Sequence, residues 1–431
     1  MRKQNGAKAI ASDMKENINH NLLPQLFRLE YTKMTAVLSR LFGLKHIEIA
    51  EDIASETFLK AMEIWGLKGL PENPTAWLYT VAKNKTKDYL KRNSIFEHEV
   101  KAAIRPEESQ NDEPFIDFTA QNIGDSQLEM IFAVCDPVNS VEAQVSLALQ
   151  ILCGFSVEEI ADAFIIKKET VKKRLLRARE NLRDENFKLR VLPTSQIKSR
   201  LDTVLTTLYL LFNEGYFSKS NNHLIRKDLC AEAIRLTLTL AENPLADTPK
   251  TNALLALLCF QSSRLVARIN GSEEAVLYDD QNKELWDKEL IEKGIYYLIR
   301  ACSGDEVSKY HIEARIAYWH TVGNDTDKWE NILQLYNYLL VIEYSPVIAL
   351  NRTFALSKVI GNEKAIIEAE KLNLTDNLFY HSLLGNLYTN FDNGKAIQHF
   401  QMALSLTKSK YDRAVIARSI ADLTSEKNET L

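Results

Sequence analysis

Glycine and proline, the residues that most often interrupt helices, are sparse in this sequence. Its 431 residues include 14 glycines and 10 prolines, while 45% of the residues are hydrophobic. This balance favours helices over a loop-rich β architecture, and the apolar share excludes a disordered chain. At ~150 residues per domain, the length predicts two to four domains.

Cysteine and histidine are too few and too scattered to form a structural framework. The five cysteines include no CxxC pair, and none of the eight histidines stands at metal-ligand spacing to a cysteine. The sequence therefore predicts no disulfide scaffold, no metal site and no cofactor, and it is typical of a reducing compartment.

Long hydrophobic runs are missing as well. The longest apolar stretch, around residues 253–260, is far too short to span a bilayer, and the basic N-terminus lacks the apolar core of a secretory signal. We expect a soluble, cytoplasmic protein without a membrane partner.

One short segment concentrates positive charge in a chain whose net charge is only −5. Residues 167–179 hold seven Lys or Arg against one Glu. Because the whole chain is slightly acidic, any contact with nucleic acid must come from such a local patch. This density of cations suits the phosphates that flank a major groove.

The residues in and around this segment have helix-turn-helix spacing. Ser156, with Glu159 three residues later, predicts a capping box at the start of a first helix. Ala161 is the small residue expected where two helices cross, and Val171 is the apolar anchor of the second helix. The turn position usually held by glycine is Ile165, which predicts a wider turn. An ordinary basic helical hairpin is the alternative interpretation.

Two further helices are predicted nearer the N-terminus. The first, IAEDIASETFLKAMEIW (residues 49–65), is amphipathic. The second, NPTAWLYTVAKNKTKDYLKRN (residues 73–93), interleaves aromatic and cationic side chains. Single-stranded DNA requires this combination, since bases stack on aromatic faces and the backbone attracts cations. The alternative is that Trp77 and Val81 are simply core residues.

In order and spacing, these segments resemble the extracytoplasmic-function sigma factors of bacterial RNA polymerase. The stretch AEDIASETFLKA resembles region 2.2 of that family, and PTAWLYTVAKNKTKDYLKR resembles regions 2.3 and 2.4. The helix-turn-helix segment resembles region 4. The likeness covers roughly residues 20–190.

The resemblance implies a partner for each segment. Region 2.2 docks on the β′ clamp of core polymerase, and the implied residues are Glu51, Asp52 and Glu56. Regions 2.3 and 2.4 open the −10 element, which implies Trp77, Tyr79, Asn84, Lys87, Lys91 and Arg92. Region 4 contacts the β flap and reads the −35 element as duplex, which implies Lys168, Glu169, Thr170, Lys172, Lys173 and Arg174. For each of these last six residues, the sequence allows contact either with a base edge or with a phosphate.

The expected architecture is all-α, with two small helical domains and a large helical extension. Region 2 would span residues 20–93 and region 4 residues 128–192, joined by residues 94–127. That joining segment is acidic and weakly periodic, which predicts a mobile linker, with an ordered surface loop as the alternative.

Residues 195–431 resemble the helical extension of one sigma factor subgroup, in which tetratricopeptide-like repeats follow a conserved helical domain. The segments that carry the likeness are LYLLFNEGY (208–216), RKDLCAEAIRL (226–236), DDQNKELWDKELIEKG (279–294) and SPVIALNRTFAL (345–356). Tetratricopeptide spacing is found at Leu384, Gly385, Tyr388, Ala396, Phe400 and Ala403. We expect this extension to set activity by contacting the sigma domains, the polymerase or another protein partner.

Two rival functions compete with a sigma factor. A helix-turn-helix regulator fused to a repeat scaffold would use the same motifs but would leave residues 20–93 unexplained. An enzyme could use Asn213 and Glu214 of the FNEGY stretch, although polar residues there are better suited to capping or bridging helices. The sequence has no HExxH, Walker or GxGxxG motif, so we favour a non-enzymatic sigma factor.

Overall fold

The regular structure of this chain is entirely helical. The computed structural model describes residues 23–43, 46–102, 116–164, 166–184, 194–216, 226–269, 276, 278–322, 327–407 and 410–429. Within these residues there is no β-strand, which confirms the predicted all-α class. None of the helices described is both long enough and apolar enough to cross a membrane.

Eighteen α-helices lie in the described part of the chain. Their bounds are α1 Leu23–Phe42, α2 Ile47–Lys68, α3 Pro74–Ala102, α4 Ala120–Val134, α5 Val141–Leu147, α6 Val157–Phe164, α7 Lys168–Asp184, α8 Thr194–Tyr216, α9 Lys227–Ala241, α10 Pro249–Ser262, α11 Lys288–Ala301, α12 Lys309–Thr321, α13 Lys328–Ile342, α14 Pro346–Ile360, α15 Asn362–Lys371, α16 Leu378–Tyr388, α17 Asn393–Leu406 and α18 Lys410–Glu429. A π-helical turn, Ala148–Leu152, continues α5.

These helices form two compact units. The first comprises residues up to 162 together with residues 166–207, and the second comprises residues 163–165 and 208–431. The boundary lies inside α8, between Thr207 and Leu208, and not at residue 195 where the sequence predicted the extension to begin.

The first unit is built on α1, α2 and α3. Apolar residues of α2 recur every three or four positions, so that Ile53, Phe58 and Trp65 all face the core. Phe58 and Trp65 pack with Met34 of α1 and Leu78 of α3, both of which have no exposed surface, and Ile53 packs with Leu38 of α1. The polar residues between them are thereby turned to the outer face of α2.

The segment predicted as a mobile linker is helical at both described ends. Helix α3 continues to Ala102, and α4 begins at Ala120; residues 103–115 lie outside the described residues. Helix α4 packs on α1, where the Arg40 guanidinium donates to Asn122 at 3.0 Å. Phe118 stacks on Tyr79 at 4.7 Å between ring centroids. The sequence pattern missed these tertiary contacts, which hold the C-terminal described end of the segment against α1 and α3.

The predicted helix pair at residues 155–179 is α6 and α7. The capping box is present, since the Ser156 N–H donates to Glu159 Oε2 at 2.8 Å and the Glu159 N–H donates to Ser156 Oγ at 3.2 Å. Ala161 and Val171 are buried, as expected. Ile165, the turn residue, lies outside the described residues.

The first half of α8 belongs to the first unit. Arg200 pairs with Asp136 at 2.7 Å, and the Thr207 hydroxyl donates to Gln144 Oε1 at 2.9 Å. On the same helix Val204 is fully buried. The domain boundary predicted near residue 195 would cut through this packing.

In the second unit, glycines allow helices to approach closely. A Cβ at Gly294 of α11 would lie 2.6 Å from the ring of Phe260 on α10, and a Cβ at Gly385 of α16 would lie 2.6 Å from the ring of Phe400 on α17. A Cβ at Gly215 of α8 would lie 2.8 Å from the Arg226 carbonyl oxygen. Each of these close approaches lies in an interface between consecutive helices.

The residues that suggested a tetratricopeptide-like pair form one buried interface between α16 and α17. All are less than a tenth exposed and belong to the same apolar cluster: Leu384, Tyr388, Ala396, Phe400 and Ala403. The spacing therefore reflects a packed helix pair.

Candidate nucleic-acid interface

The acidic residues predicted to bind the polymerase clamp lie on the outer face of α2. Asp52 and Glu56 are exposed, one turn apart, and Glu51 is half-buried. Glu56 accepts an ion pair from Lys85 of α3 at 2.6 Å. Surface pairs of this kind contribute only about 0–1 kcal/mol, so Glu56 could exchange this partner for another at little cost.

Glu51 differs from its two neighbours because it is engaged by α7. Arg179 holds it with two parallel hydrogen bonds, Nη1 to Oε2 at 2.9 Å and Nη2 to Oε1 at 2.7 Å. Arg179 Nη2 also donates to Gln150 Oε1 at 3.0 Å, and Arg183, one turn further on, pairs with Glu48. We call these four residues, Glu48, Glu51, Arg179 and Arg183, the α2–α7 clasp.

The clasp is only partly open to solvent. The side chains of Arg179 and Glu51 are 13% and 19% exposed. Beneath them, burial and the nearby Glu51 carboxylate raise the pKa of Tyr31 to about 12. A bidentate pair in such a site is stronger than a pair in open water, so the clasp holds α7 on the face of α2 that carries Glu51.

The residues predicted to meet the −10 element are divided between two faces of α3. Trp77, Asn84 and Lys91 are spaced by seven residues and therefore share one face. Asn84 and Lys91 are exposed, as is Arg92, and Lys87 is half-buried. This face combines an amide with cations along nearly four helical turns.

Trp77 and Tyr79 both make more contacts within the protein than the sequence predicted. Trp77 is half-buried and packs on Trp65, with 5.3 Å between ring centroids, so it serves the core as well as the surface. Tyr79 lies on the opposite side of α3, where its hydroxyl donates to Glu30 and its ring is covered by Phe118. Burial and the Glu30 carboxylate raise the pKa of Tyr79. Phe118 therefore occupies one stacking face of this ring.

The basic face of α7 is exposed as predicted by its sequence pattern. Val171, Leu175, Ala178 and Leu182 form the buried stripe. The residues predicted to meet the −35 element lie away from that stripe, and all are exposed except the half-buried Arg174: Lys168, Glu169, Thr170, Lys172, Lys173 and Arg174. Three of them have ion-pair partners, since Lys168 pairs with Glu158, and Lys172 and Glu169 pair with each other.

The clasp was missed from sequence because its partners are 128 and 135 residues apart. The density of cations in residues 167–179 suggested contacts with phosphates, whereas Arg179, together with Arg183 one turn later, faces α2. Among the described residues, no group of three or more His, Cys, Asp or Glu side chains could hold a metal ion.

Comparison with known proteins identifies one domain of the chain. Residues 26–95, which contain nearly all of α1, α2 and most of α3, match the model of Sigma-70 region 2. This match supports a sigma factor that takes part in promoter recognition, and it implies binding to core RNA polymerase and promoter DNA.

Two further comparisons concern the rest of the chain. Residues 200–302 match a Family of unknown function (DUF6596). An uncharacterised protein of Rhizobium meliloti (strain 1021) is 30% identical over 393 residues, which cover 89% of this chain and 92% of that protein. The relationship thus includes the extension as well as region 2. No solved structure matches the chain.

Proposed function

We propose that this chain is a cytoplasmic sigma factor of the extracytoplasmic-function type, and that its helical extension, with tetratricopeptide-like repeats, modulates transcription initiation. The observation that carries the proposal is the order of elements: a sigma-70 region 2 is followed, in the same compact unit, by a helix with an exposed basic face. A separate helical unit then makes up the rest of the chain.

In this proposal the acidic face of α2 docks on the β′ clamp. Asp52 and Glu56 are accessible as the structure stands, and Glu51 becomes accessible when Arg179 releases it. Complementary charge across such an interface mainly sets association rate and partner choice. The exposed face of α3, with Asn84, Lys87 and Lys91, then follows the single strand of the opened −10 element.

The pair α6 and α7 acts as region 4, a helix-turn-helix that meets the −35 duplex and the β flap. Exposed Lys172 and Lys173 supply the phosphate contacts, while Arg179 and Arg183 are held by α2. Region 2 and region 4 must separate to span the distance between two promoter elements. The clasp therefore favours a closed form, which binding of core polymerase opens because core binds the open form better.

Core binding separates this proposal from a helix-turn-helix regulator fused to a repeat scaffold. The full chain, labelled with a fluorophore, should bind core polymerase with an affinity that falls when Asp52 is reversed to Arg. A regulator of the other class would bind duplex DNA without requiring core. Failure to bind core, together with tight binding to duplex, would favour the regulator.

The modulating role of the extension is tested by comparing the full chain with a chain that ends after Thr207. Both are added at the same concentration to core polymerase, and transcripts from one template are measured. We expect the amount of transcript from the two proteins to differ by more than about twofold, in either direction. A difference of this size lies within the usual range of coupling between two sites. Equal transcription by both folded proteins would contradict a modulating extension.

A further inference from the structure

The second unit contains a cavity of about 550 Å³ that no part of the sigma mechanism uses. It lies between the last turns of α8, the end of α10 and the turn that follows, and one face each of α12, α13 and α14. Tyr209, Asn213 and Tyr216, from the FNEGY region, face it from α8. Sites for small organic molecules typically measure ~300–1,000 Å³, so this cavity is large enough for one.

Positive charge is gathered at one end of the cavity. The guanidinium carbon of Arg268 lies 4.0 Å from the centre of the Tyr216 ring, and that of Arg264 lies 5.3 Å from the centre of the Tyr278 ring. Behind Tyr278, the buried Lys328 ammonium donates to the Tyr278 hydroxyl at 2.5 Å. Stacking on rings fixes each guanidinium plane, and such a fixed plane presents its N–H groups at defined positions.

Several polar atoms in the cavity wall have no hydrogen-bond partner among the described residues. They are Gln261 Oε1, Arg264 Nε, Gln281 Oε1 and His320 Nδ1. Folding strongly disfavours buried polar atoms without partners, so a cluster of them in one cavity points to a bound polar group. Arg264 Nε is a donor that suits a carboxylate oxygen, whereas the two amide oxygens are acceptors and suit water molecules bound beside such a group.

One acidic group faces the cavity from α12. The Tyr209 hydroxyl donates to Glu313 Oε1 at 3.3 Å, and burial raises the pKa of Glu313 to about 7. His320, two helix turns further along, stays neutral because burial and the charges of Arg264 and Lys328 lower its pKa to about 3. With two arginines and a lysine against one carboxyl group, the cavity is positive on balance.

Another part of the cavity wall is aromatic, and the Lys358 ammonium lies 5.2 Å from the centre of the Phe354 ring and 5.8 Å from that of the Trp329 ring. Trp329 lies edge-on to His320 at 5.7 Å and to Phe354 at 5.7 Å between ring centroids. Tyr336 and Leu339 of α13 continue this wall. Phe354 is exposed, as is Asn351 one turn earlier on α14, so this side forms the mouth through which a ligand would enter.

We propose that this cavity binds a small organic anion, a carboxylate carried on a flat hydrophobic body. The carboxylate lies against Arg264 and Arg268, and the flat body lies between the aromatic side chains near the mouth. The inference concerns a binding site in the second unit, and it does not depend on the sigma function of the first.

The proposal is tested by calorimetric titration of the full chain with cinnamate and with its uncharged amide, cinnamamide. The two probes share shape and differ in charge. We expect cinnamate to bind at least about tenfold more tightly than cinnamamide, as charge-assisted hydrogen bonds require. Arg264→Gln and Arg268→Gln should each weaken cinnamate binding by a similar factor.

Arg315→Gln is the matched control, because Arg315 lies on the same helix as Glu313 but is exposed and away from the cavity. It should bind cinnamate as the unchanged chain does. If Arg264→Gln or Arg268→Gln fails to fold, Asn351→Trp provides a second test, since a large ring at the exposed mouth should block binding without disturbing the core.

Three results would overturn the proposal. They are no binding of cinnamate at millimolar concentration, equal binding of cinnamate and cinnamamide, and the same loss of binding in Arg315→Gln as in the cavity variants. Unchanged binding by a folded Asn351→Trp protein would place the bound probe elsewhere and would count equally against it.

Discussion

Arg179 of α7 binds Glu51 of α2 through two hydrogen bonds, of 2.9 and 2.7 Å. Glu51 is also one of the three residues proposed to meet the polymerase clamp. Under the proposed function, this carboxylate has two competing partners, a basic residue of its own chain and a surface of the polymerase. We propose that this competition couples the separation of α2 from α7 to the binding of core.

Arg179→Gln should loosen the clasp. We expect the free energy of unfolding to fall by about 1–3 kcal/mol, since a half-buried carboxylate loses its bidentate partner. Affinity for core should rise, because Glu51 no longer has to be released. Urea unfolding and fluorescence anisotropy with labelled protein measure the two effects.

The exposed Arg177, two residues away on α7, supplies the control for the clasp. Arg177→Gln should change neither stability nor core affinity. An Arg179→Gln protein that bound core with unchanged affinity would show that the clasp does not compete with the polymerase.

Asp52→Arg should weaken binding to core while leaving stability nearly unchanged. Asp52 is exposed, and reversal of a charge at a complementary interface is more costly than loss of an isolated surface pair. Glu51→Arg is a less clean test, since it would also place two cations together in the clasp. Reversal of the exposed Glu180, on α7, is the control, and equal core affinity of the Asp52 and Glu180 variants would contradict the assignment.

Asn84→Ala should impair promoter opening more than initial promoter binding. Asn84 lies on the exposed face of α3, and loss of contacts to a single-stranded base costs about 1–3 kcal/mol. Permanganate footprinting reports opening, and a mobility-shift assay reports initial binding. Gln121→Ala removes an exposed amide from α4 and should affect neither. Equal losses of opening and binding in Asn84→Ala would argue against a role in opening.

The Trp77 variant has a different expected outcome. Because Trp77 packs on Trp65 in the core, Trp77→Ala should lower the free energy of unfolding by ~3–5 kcal/mol. A defect in opening would then be a consequence of lost folding, so Asn84 is the informative position.

Local features of this fold were predictable from sequence, and distant contacts were not. The Ser156–Glu159 capping box and the Gly385–Phe400 interface follow from residues at fixed short spacings. The Glu51–Arg179 pair depends on how two helices far apart in the chain pack together. The pattern also could not show that Tyr79 is covered by Phe118, because that contact depends on how residues 116–134 fold back on α1 and α3.

The position of the boundary inside α8 gives a further prediction. A chain ending at Leu192 should be less stable than one ending at Thr207, since it lacks the Arg200–Asp136 pair and the buried Ile197, Leu201 and Val204. Burial of each aliphatic side chain contributes ~1.5–3 kcal/mol, so the shorter chain should lose several kcal/mol. Thermal unfolding followed by circular dichroism measures the difference, and equal melting temperatures would contradict it.

Glu313 should make the stability of the second unit depend on pH. Its pKa is raised to about 7, above the ordinary value for Glu. The unfolded chain therefore releases this proton at a lower pH than the folded chain does. Protonated Glu313 makes its full contribution to the free energy of unfolding below the pKa that this residue has in the unfolded chain. This contribution is lost as pH rises through about 7. Tyr209, Lys309, Tyr336 and Glu343 are the other titratable groups near it.

Glu313→Gln removes this titration. Relative to the unchanged chain, the variant should be similar in stability at low pH and more stable by about 1–3 kcal/mol above neutral pH. Urea unfolding at several pH values gives the comparison, with Glu330→Gln, an exposed position on α13, as control. A stability difference independent of pH would show that Glu313 titrates normally.

The central claim is that this chain directs core RNA polymerase to promoters. The most direct measurement is sequencing of transcript 5′ ends made by core polymerase on fragmented genomic DNA, with and without the full chain. We expect new start sites that share −10 and −35 elements, appear only with the chain, and fade with Asp52→Arg. Identical sets of start sites with and without the chain, under conditions in which core is active, would contradict it.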